Sequence, residues 1–204
     1  MKYTVQNPGN STAVFLIGHE PAGYADKFPG LTFVCIYDFD WNSCLSPWPA
    51  ERVFRKGEDF SGNADAFLAE VKNVIAETEC RERWIAGYSL AGLFSLYACQ
   101  KTDLFRACAS VSGSLWYPGW MDYLKEHPVL AGAVYLSVGD KEKNTKNPVM
   151  AKVEENTGAA AEIIGAYAES VFELNPGGHF GPSDERIMKG LRWLMQVRNP
   201  EQTT

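Results

Sequence analysis

Histidine is scarce in this chain, with three in 204 residues. Any chemistry that needs an imidazole therefore has few places to be. Cysteine is little more common. The five, at positions 35, 44, 80, 99 and 108, are odd in number and form no C-x-x-C. That argues against a disulfide framework and against zinc-type spacings. It points instead to reduced thiols of a cytoplasmic protein, several of them filling the core. Positive charge is in deficit: 19 Lys and Arg against 25 Asp and Glu leave a net charge of −6. With no basic patch, neither nucleic acid nor an anionic membrane is expected as a partner. No run is apolar for long enough to span a membrane. The N-terminal stretch from Met1 to Gly9 lacks an apolar h-region, so a secretory signal is not expected. Repeats, low-complexity tracts and linker-like segments are absent too. Residues 1–204 therefore read as a single domain, long enough to bury a sizeable core.

What is present centres on Arg83-Trp84-Ile85-Ala86-Gly87-Tyr88-Ser89-Leu90-Ala91-Gly92. A short apolar strand leads into a tight turn with a serine at its tip, and a helix follows. That context makes a G-x-S pattern a nucleophile elbow. In such an elbow, strand and helix pass so close that the residues two before and two after the serine must be small. Here they are Gly87 and Ala91. Glycine is the usual residue at the second place, and alanine is a mild departure. The helix continues through Leu93, Phe94, Leu96, Tyr97 and Ala98, apolar nearly all round, as a buried helix should be.

A serine needs a base, and the base needs an orienting partner. In this kind of fold the chain order is Ser, acid, His. His19 precedes Ser89. His127, in Lys125-Glu126-His127-Pro128, reads as a solvated helix end. His179 lies in Asn175-Pro176-Gly177-Gly178-His179-Phe180, a Gly/Pro loop between the strand Val171 to Leu174 and the last helix, and is the candidate base. The acid should follow the strand Val134 to Val138, where Gly139-Asp140-Lys141-Glu142 offers both Asp140 and Glu142. The interleaved lysines also suit a solvated loop, so at least one carboxylate has no part in the chemistry.

The Gly-Tyr-Ser-Leu-Ala-Gly elbow, the Gly-Asp-Lys-Glu turn and the Pro-Gly-Gly-His-Phe loop occur in that order. Together they make the chain resemble the α/β-hydrolases, in particular the esterase D-like and siderophore-esterase-like branch. The segment Gly87 to Ala98 and Ser46-Pro47-Trp48-Pro49 are similar to that branch as well, and the likeness runs from about Val14 to the end. The resemblance implies that the acid stands three residues after the strand-closing glycine, which favours Glu142 over Asp140. It also implies that some relatives work with a Ser–His pair alone.

Strands near Val14, Phe33 to Tyr37, Trp84 to Gly87, Ala107 to Val111, Val134 to Val138 and Val171 to Leu174 alternate with helices. The helices are Ala64 to Thr78, Leu90 to Gln100, Gly119 to Glu126, a region from Pro148, and Asp184 to Val197, the last with Ser183 as N-cap. Such alternation predicts a three-layer α/β fold with a mostly parallel, doubly wound sheet. The resemblance implies reduced N-terminal strands, with Tyr3 to Val5 as a remnant, and no large lid.

An oxyanion hole would use the N–H of Leu90 and a second from the loop Gly18-His19-Glu20-Pro21, preferably that of His19. Pro21 has no N–H to give. The imidazole of His19 is an alternative pocket lining. Phe39, Trp41, Trp48, Trp116, Tyr117 and Trp120 fall in loops at the carboxyl edge of the sheet, where Trp41, Trp48, Trp116 and Trp120 are candidate substrate contacts. Asp38 and Asp40 lack a third ligand and read as loop caps, so no metal or other cofactor is expected. The expectation is a serine hydrolase acting on a small-molecule carboxylic ester. Thioester cleavage or acyl transfer uses the same residues, and an inactive fold retained for binding is the alternative of another class.

Overall fold

Five strands of this protein are apolar along almost their whole length, which only a sheet covered on both faces can tolerate. The computed structural model describes residues 1–53 and 57–198; the other positions of the expected span 1–204 lie outside the described residues. In chain order the elements are β1 (Lys2–Gln6), β2 (Thr12–Ile17), α1 (Tyr24–Lys27), β3 (Thr32–Tyr37), α2 (Trp41–Cys44), β4 (Pro49–Ala50) and β5 (Phe60–Ser61). They continue with α3 (Ala64–Glu77), β6 (Glu82–Tyr88), α4 (Leu90–Lys101), β7 (Ala107–Val111), α5 (Trp120–Glu126) and β8 (Ala133–Gly139). A 3₁₀ turn at Met150–Lys152, α6 (Val153–Gly165), β9 (Glu169–Asn175) and α7 (Ser183–Arg198) complete the described elements.

The main sheet has seven strands in the order β1-β3-β2-β6-β7-β8-β9. All neighbours are parallel except β1, which runs antiparallel along β3 from Lys2↔Tyr37 to Gln6↔Phe33. The expected remnant Tyr3 to Val5 is thus a complete edge strand. Alternate residues of each strand feed two cores. Phe15, Ile17, Val34 and Ile36 pack with α3, α4, α5 and α6 on one face. Val14, Leu16, Phe33, Trp84 and Tyr135 pack with α1 and the Ile187–Leu191–Leu194 stripe of α7 on the other. This is the expected three-layer, mostly parallel architecture. Every residue of α4 from Leu90 to Cys99 is buried. A helix with no wet face has no amphipathic stripe, and its position is fixed by the sheet and the flanking helices.

Several details differ from the sequence reading, among them the short helices α1 and α2, which it does not contain. Helix α7 starts at Ser183 itself rather than after it, because the carbonyl of Pro182 already accepts the N–H of Arg186. The loop after α2 contains the β4–β5 hairpin, two residues to a strand and too short to show a period. Among the described residues no helix is long and apolar enough to cross a membrane. All five cysteines are free, and Cys35, Cys99 and Cys108 are buried. Burial pushes the Cys35 thiol up to about 11.

Candidate active site

At the carboxyl end of β6 the chain reverses within one residue. Ser89 takes φ 60°, ψ −124°, a conformation that costs a non-glycine residue about 1–3 kcal/mol. The surroundings hold it there. Its N–H donates to the Val111 carbonyl at 3.0 Å, and its own carbonyl accepts the N–H groups of Gly92 and Ser114, each at 3.0 Å. Gly87 shows why the elbow needs small residues: a Cβ there would run into the backbone of Ala91. Ala91 tolerates its methyl group because Gly87 presents none. Leu90 opens α4, so its N–H has no acceptor within the helix.

His179 lies between two partners. Its Nε2 is 2.9 Å from Ser89 Oγ, and its Nδ1 is 2.7 Å from Glu142 Oε2. The side chain of His179 is 28% exposed, whereas that of Glu142 is only 3% exposed. The other oxygen of Glu142 accepts the Gly139 N–H at 2.7 Å and the Ser112 hydroxyl at 2.7 Å, and faces Arg186 Nη1 at 3.3 Å. Burial alone would raise the pKa of this carboxyl. The hydrogen bonds from His179, Gly139 and Ser112 outweigh it and hold the group below the usual carboxylate range. Asp140 points elsewhere and accepts the Gly177 N–H at 2.8 Å, bracing the histidine loop. Of the two candidate acids, Glu142 is the one in contact with the imidazole.

The remaining candidates are placed as follows. Ile17, just before the loop containing His19, lies opposite Gly87 in the sheet, so this loop leaves the sheet beside the elbow. The imidazole of His19 is turned toward Asp184, with Nδ1 3.6 Å from the carboxylate, and Nε2 is buried without a hydrogen-bond partner. Burial lowers the pKa of His19, with Asp184 opposing the shift. Trp41 opens α2 and is 39% exposed. Its ring covers Gly18, where a Cβ would stand 2.5 Å from Cζ2. Trp48 donates to the Pro118 carbonyl at 2.9 Å. Trp116 is largely buried, next to Phe60 and Tyr117. Trp120 is 0% exposed, stacks on Trp48 and meets Tyr123 at a tilt, so its ring is part of the core packing. His127 ends α5 and stacks on Tyr123. Asp38 pairs with Lys2 at 2.7 Å, and Asp40 caps α2 by accepting the Ser43 N–H. No group of three or more potential metal ligands occurs among the described residues.

Residues to which the sequence reading gives no role complete the site. Tyr88 donates from its hydroxyl to the His179 carbonyl at 2.6 Å. Ser112, with φ 46°, presents its hydroxyl to Glu142. Ser114 Oγ is 3.5 Å from Ser89 Oγ. Arg186 is buried beside Glu142. Phe180 is 100% exposed, edge-on to the His179 ring. Tyr88 and Phe180 each adjoin a motif residue, which was the available signal. A serine or arginine outside the motifs carries none. A cavity of about 690 Å³ behind the histidine loop is lined by Pro176, Arg186, Lys189 and Arg192 among others, but not by Ser89 or His179.

The fold and this constellation define the class: an α/β-hydrolase fold with a serine on a strained elbow and a Ser–His–Glu hydrogen-bond chain. Solved structures with a similar fold are known. An IroE-like serine hydrolase from Shewanella oneidensis superposes with a TM-score of 0.74 at 16% identity, covering 95% of this chain and 75% of that one. The siderophore hydrolase EstB from Aspergillus nidulans gives 0.68 at 14% identity, covering 97% and 91%. At such identities the likeness shows a shared fold. The uncharacterized protein YbbA of Bacillus subtilis (strain 168) is 28% identical over 142 residues, 64% of this chain. The matched stretch spans 57% of that relative's length. No family model matches the chain.

Proposed function

We propose that the protein is a serine hydrolase that cleaves a carboxylic ester through an acyl-enzyme on Ser89. The observation that carries this reading is His179, hydrogen-bonded to Ser89 Oγ at 2.9 Å and to Glu142 at 2.7 Å. In the first half-reaction Ser89 Oγ bonds to the ester carbonyl carbon while His179 Nε2 takes the hydroxyl proton. The tetrahedral intermediate collapses as the carbon–oxygen bond to the alcohol breaks. The imidazolium returns its proton to that oxygen, and the alcohol leaves. Water then attacks the acyl-enzyme with its proton passing to Nε2, and Ser89 departs with that proton. Glu142 fixes the Nδ1–H tautomer and balances the imidazolium charge. The N–H of Leu90, with a second from the His19 loop, would hold the oxyanion. The electrons and protons balance within this cycle, so it calls for no cofactor.

Trp41, Trp48 and Trp116 are the proposed substrate contacts, for a small molecule with an apolar part. Residues 1–204 act as one α/β-hydrolase domain, in the cytoplasm. The test is turnover of p-nitrophenyl esters of rising acyl length by the wild type and by Ser89→Ala. Saturable turnover that Ser89→Ala abolishes is expected. Turnover that survives in Ser89→Ala, or none with any ester, overturns the reading.

A further inference from the structure

One buried guanidinium touches the ends of four neighbouring strands. Arg186, 3% exposed, sits in the second turn of α7. Its Nη1 reaches Tyr88 Oη at 3.0 Å, Ser112 Oγ at 3.2 Å and Glu142 Oε1 at 3.3 Å, and its Nη2 donates to the Pro176 carbonyl at 2.8 Å. Tyr88 ends β6, Ser112 follows β7, Glu142 follows β8 and Pro176 follows β9. These four strands are consecutive in the sheet. Three of the contacts fall on segments that carry the proposed triad. Tyr88 precedes Ser89 in the chain, Glu142 is itself the acid, and Pro176 opens the loop to His179. Tyr88 extends the link by donating to the His179 carbonyl.

Space has been left for this group. A Cβ on Gly181 would come 2.7 Å from Arg186 Nη2, and one on Gly139 would come 3.1 Å from the same atom. Taking an arginine out of water is costly, and it is tolerated where a carboxylate and several acceptors meet the planar fork. An apolar side chain could fill the same volume but could not hold four strand ends in register through hydrogen bonds. Helix α7 delivers the arginine because its buried apolar residues, Ile187, Met188, Leu191 and Leu194 among them, pin it to the sheet.

We infer that Arg186 is a positioning residue: it sets the relative placement of the Ser89 elbow, the Glu142 loop and the His179 loop without touching substrate. The inference rests on the hydrolase reading above. A displacement of about 1 Å between reacting groups costs about 10²-fold in rate. Arg186→Met should therefore lower kcat about 10²-fold, with KM changed less than about threefold. Added guanidinium, well below denaturing concentration, should enter the vacated site and restore kcat by about tenfold or more, whereas urea, neutral and of similar shape, should not. Tyr88→Phe breaks one arm of the network without disturbing the charges and should lower kcat about tenfold. Arg192, on the same helix as Arg186 with its guanidinium over the Phe28 ring, serves as control, and Arg192→Ala should keep the wild-type kcat.

The outcomes separate cleanly. A folded Arg186→Met with wild-type kcat, or with a loss confined to KM, overturns the inference. A loss of kcat that guanidinium does not restore reduces Arg186 to a packing role and overturns it too. If Arg186→Met does not fold, Arg186→Lys and Tyr88→Phe decide, and wild-type kcat in both counts against it. Fluorophosphonate labelling of the wild type guards the underlying reading. No adduct on Ser89 means that the hydrolase reading itself has failed, whereas normal labelling with unaffected variants removes only the role of Arg186.

Discussion

Replacing Glu142 by Gln keeps the shape of the side chain and removes its charge, and the structure allows the consequences to be worked through. In the native protein one carboxylate oxygen accepts from Gly139, Ser112 and Arg186, and the other from His179. The amide can keep at most one of these oxygens as an acceptor, and its NH₂ must face donors. Arg186 loses its only ionic partner in the network but retains Tyr88, Ser112 and Pro176. Breaking a buried pair costs about 3–5 kcal/mol, and those neutral acceptors argue for the lower end, about 3 kcal/mol. For a chain of this size that lowers Tm by about 6–12 °C. Activity should fall up to about 10⁴-fold, because the imidazole loses its tautomer and its charge balance. Asp140→Asn gives the contrast. Its single hydrogen bond to Gly177 N–H survives in the amide, so about 1 kcal/mol or less is at stake, with little loss of kcat. The pH dependence carries a sign as well. The folded-state pKa of Glu142 lies below the ordinary value, so its stabilisation is present above about pH 4.3 and fades as pH falls through the folded value. The Tm gap between wild type and Glu142→Gln should narrow on that side. Thermal unfolding by circular dichroism and p-nitrophenyl acetate turnover measure both effects. A Glu142→Gln protein within about 2 °C and about tenfold of wild type would refute the reasoning.

Other consequences are shorter to state. Ser89→Ala and His179→Ala should each lose about 10⁴- to 10⁶-fold in kcat, and the double variant should be little worse than either; losses that multiply would show that the two do not act as a unit. Gly87→Ala drives a methyl group into the Ala91 backbone and should cost about 1–3 kcal/mol in urea unfolding. An unchanged midpoint would mean that strand and helix can separate freely. His19 is held uncharged mainly by burial, so its folded-state pKa lies below the unfolded value of about 6.5. Its contribution to stability is present above that pH and is lost as pH falls through the folded value. His19→Gln should flatten the Tm profile on the acid side of about pH 6.5, and superimposable profiles would contradict this.

The elements that could be read from the chain are those whose pattern is local. The apolar runs of β2, β3, β6, β7 and β8 and the stripe of α3 are visible without a structure, and so is the strand–turn–helix around Ser89. Features set by distant neighbours were not visible. Two-residue strands have no period, so β4 and β5 passed unnoticed, and α1 and α2 are single turns. Trp120 follows a strand as a substrate contact would, but only the tertiary structure shows it fully buried against Trp48 and Tyr123. Asp140 and Glu142 share one charged turn, and the register of the histidine loop determines which of them meets His179. Arg186 was the least visible. In Ser-Asp-Glu-Arg it looks like part of a solvated helix start, and its burial follows from acceptors on four separate strand ends.

Intact-protein mass spectrometry after treatment with a fluorophosphonate tests the central claim most directly, because it reads the nucleophile itself and needs no knowledge of the natural substrate. The account predicts one adduct per chain, mapped by peptide digestion to Ser89, absent in Ser89→Ala and formed far more slowly in His179→Ala. No adduct on the folded wild type, or an adduct on another serine that persists in Ser89→Ala, would contradict it.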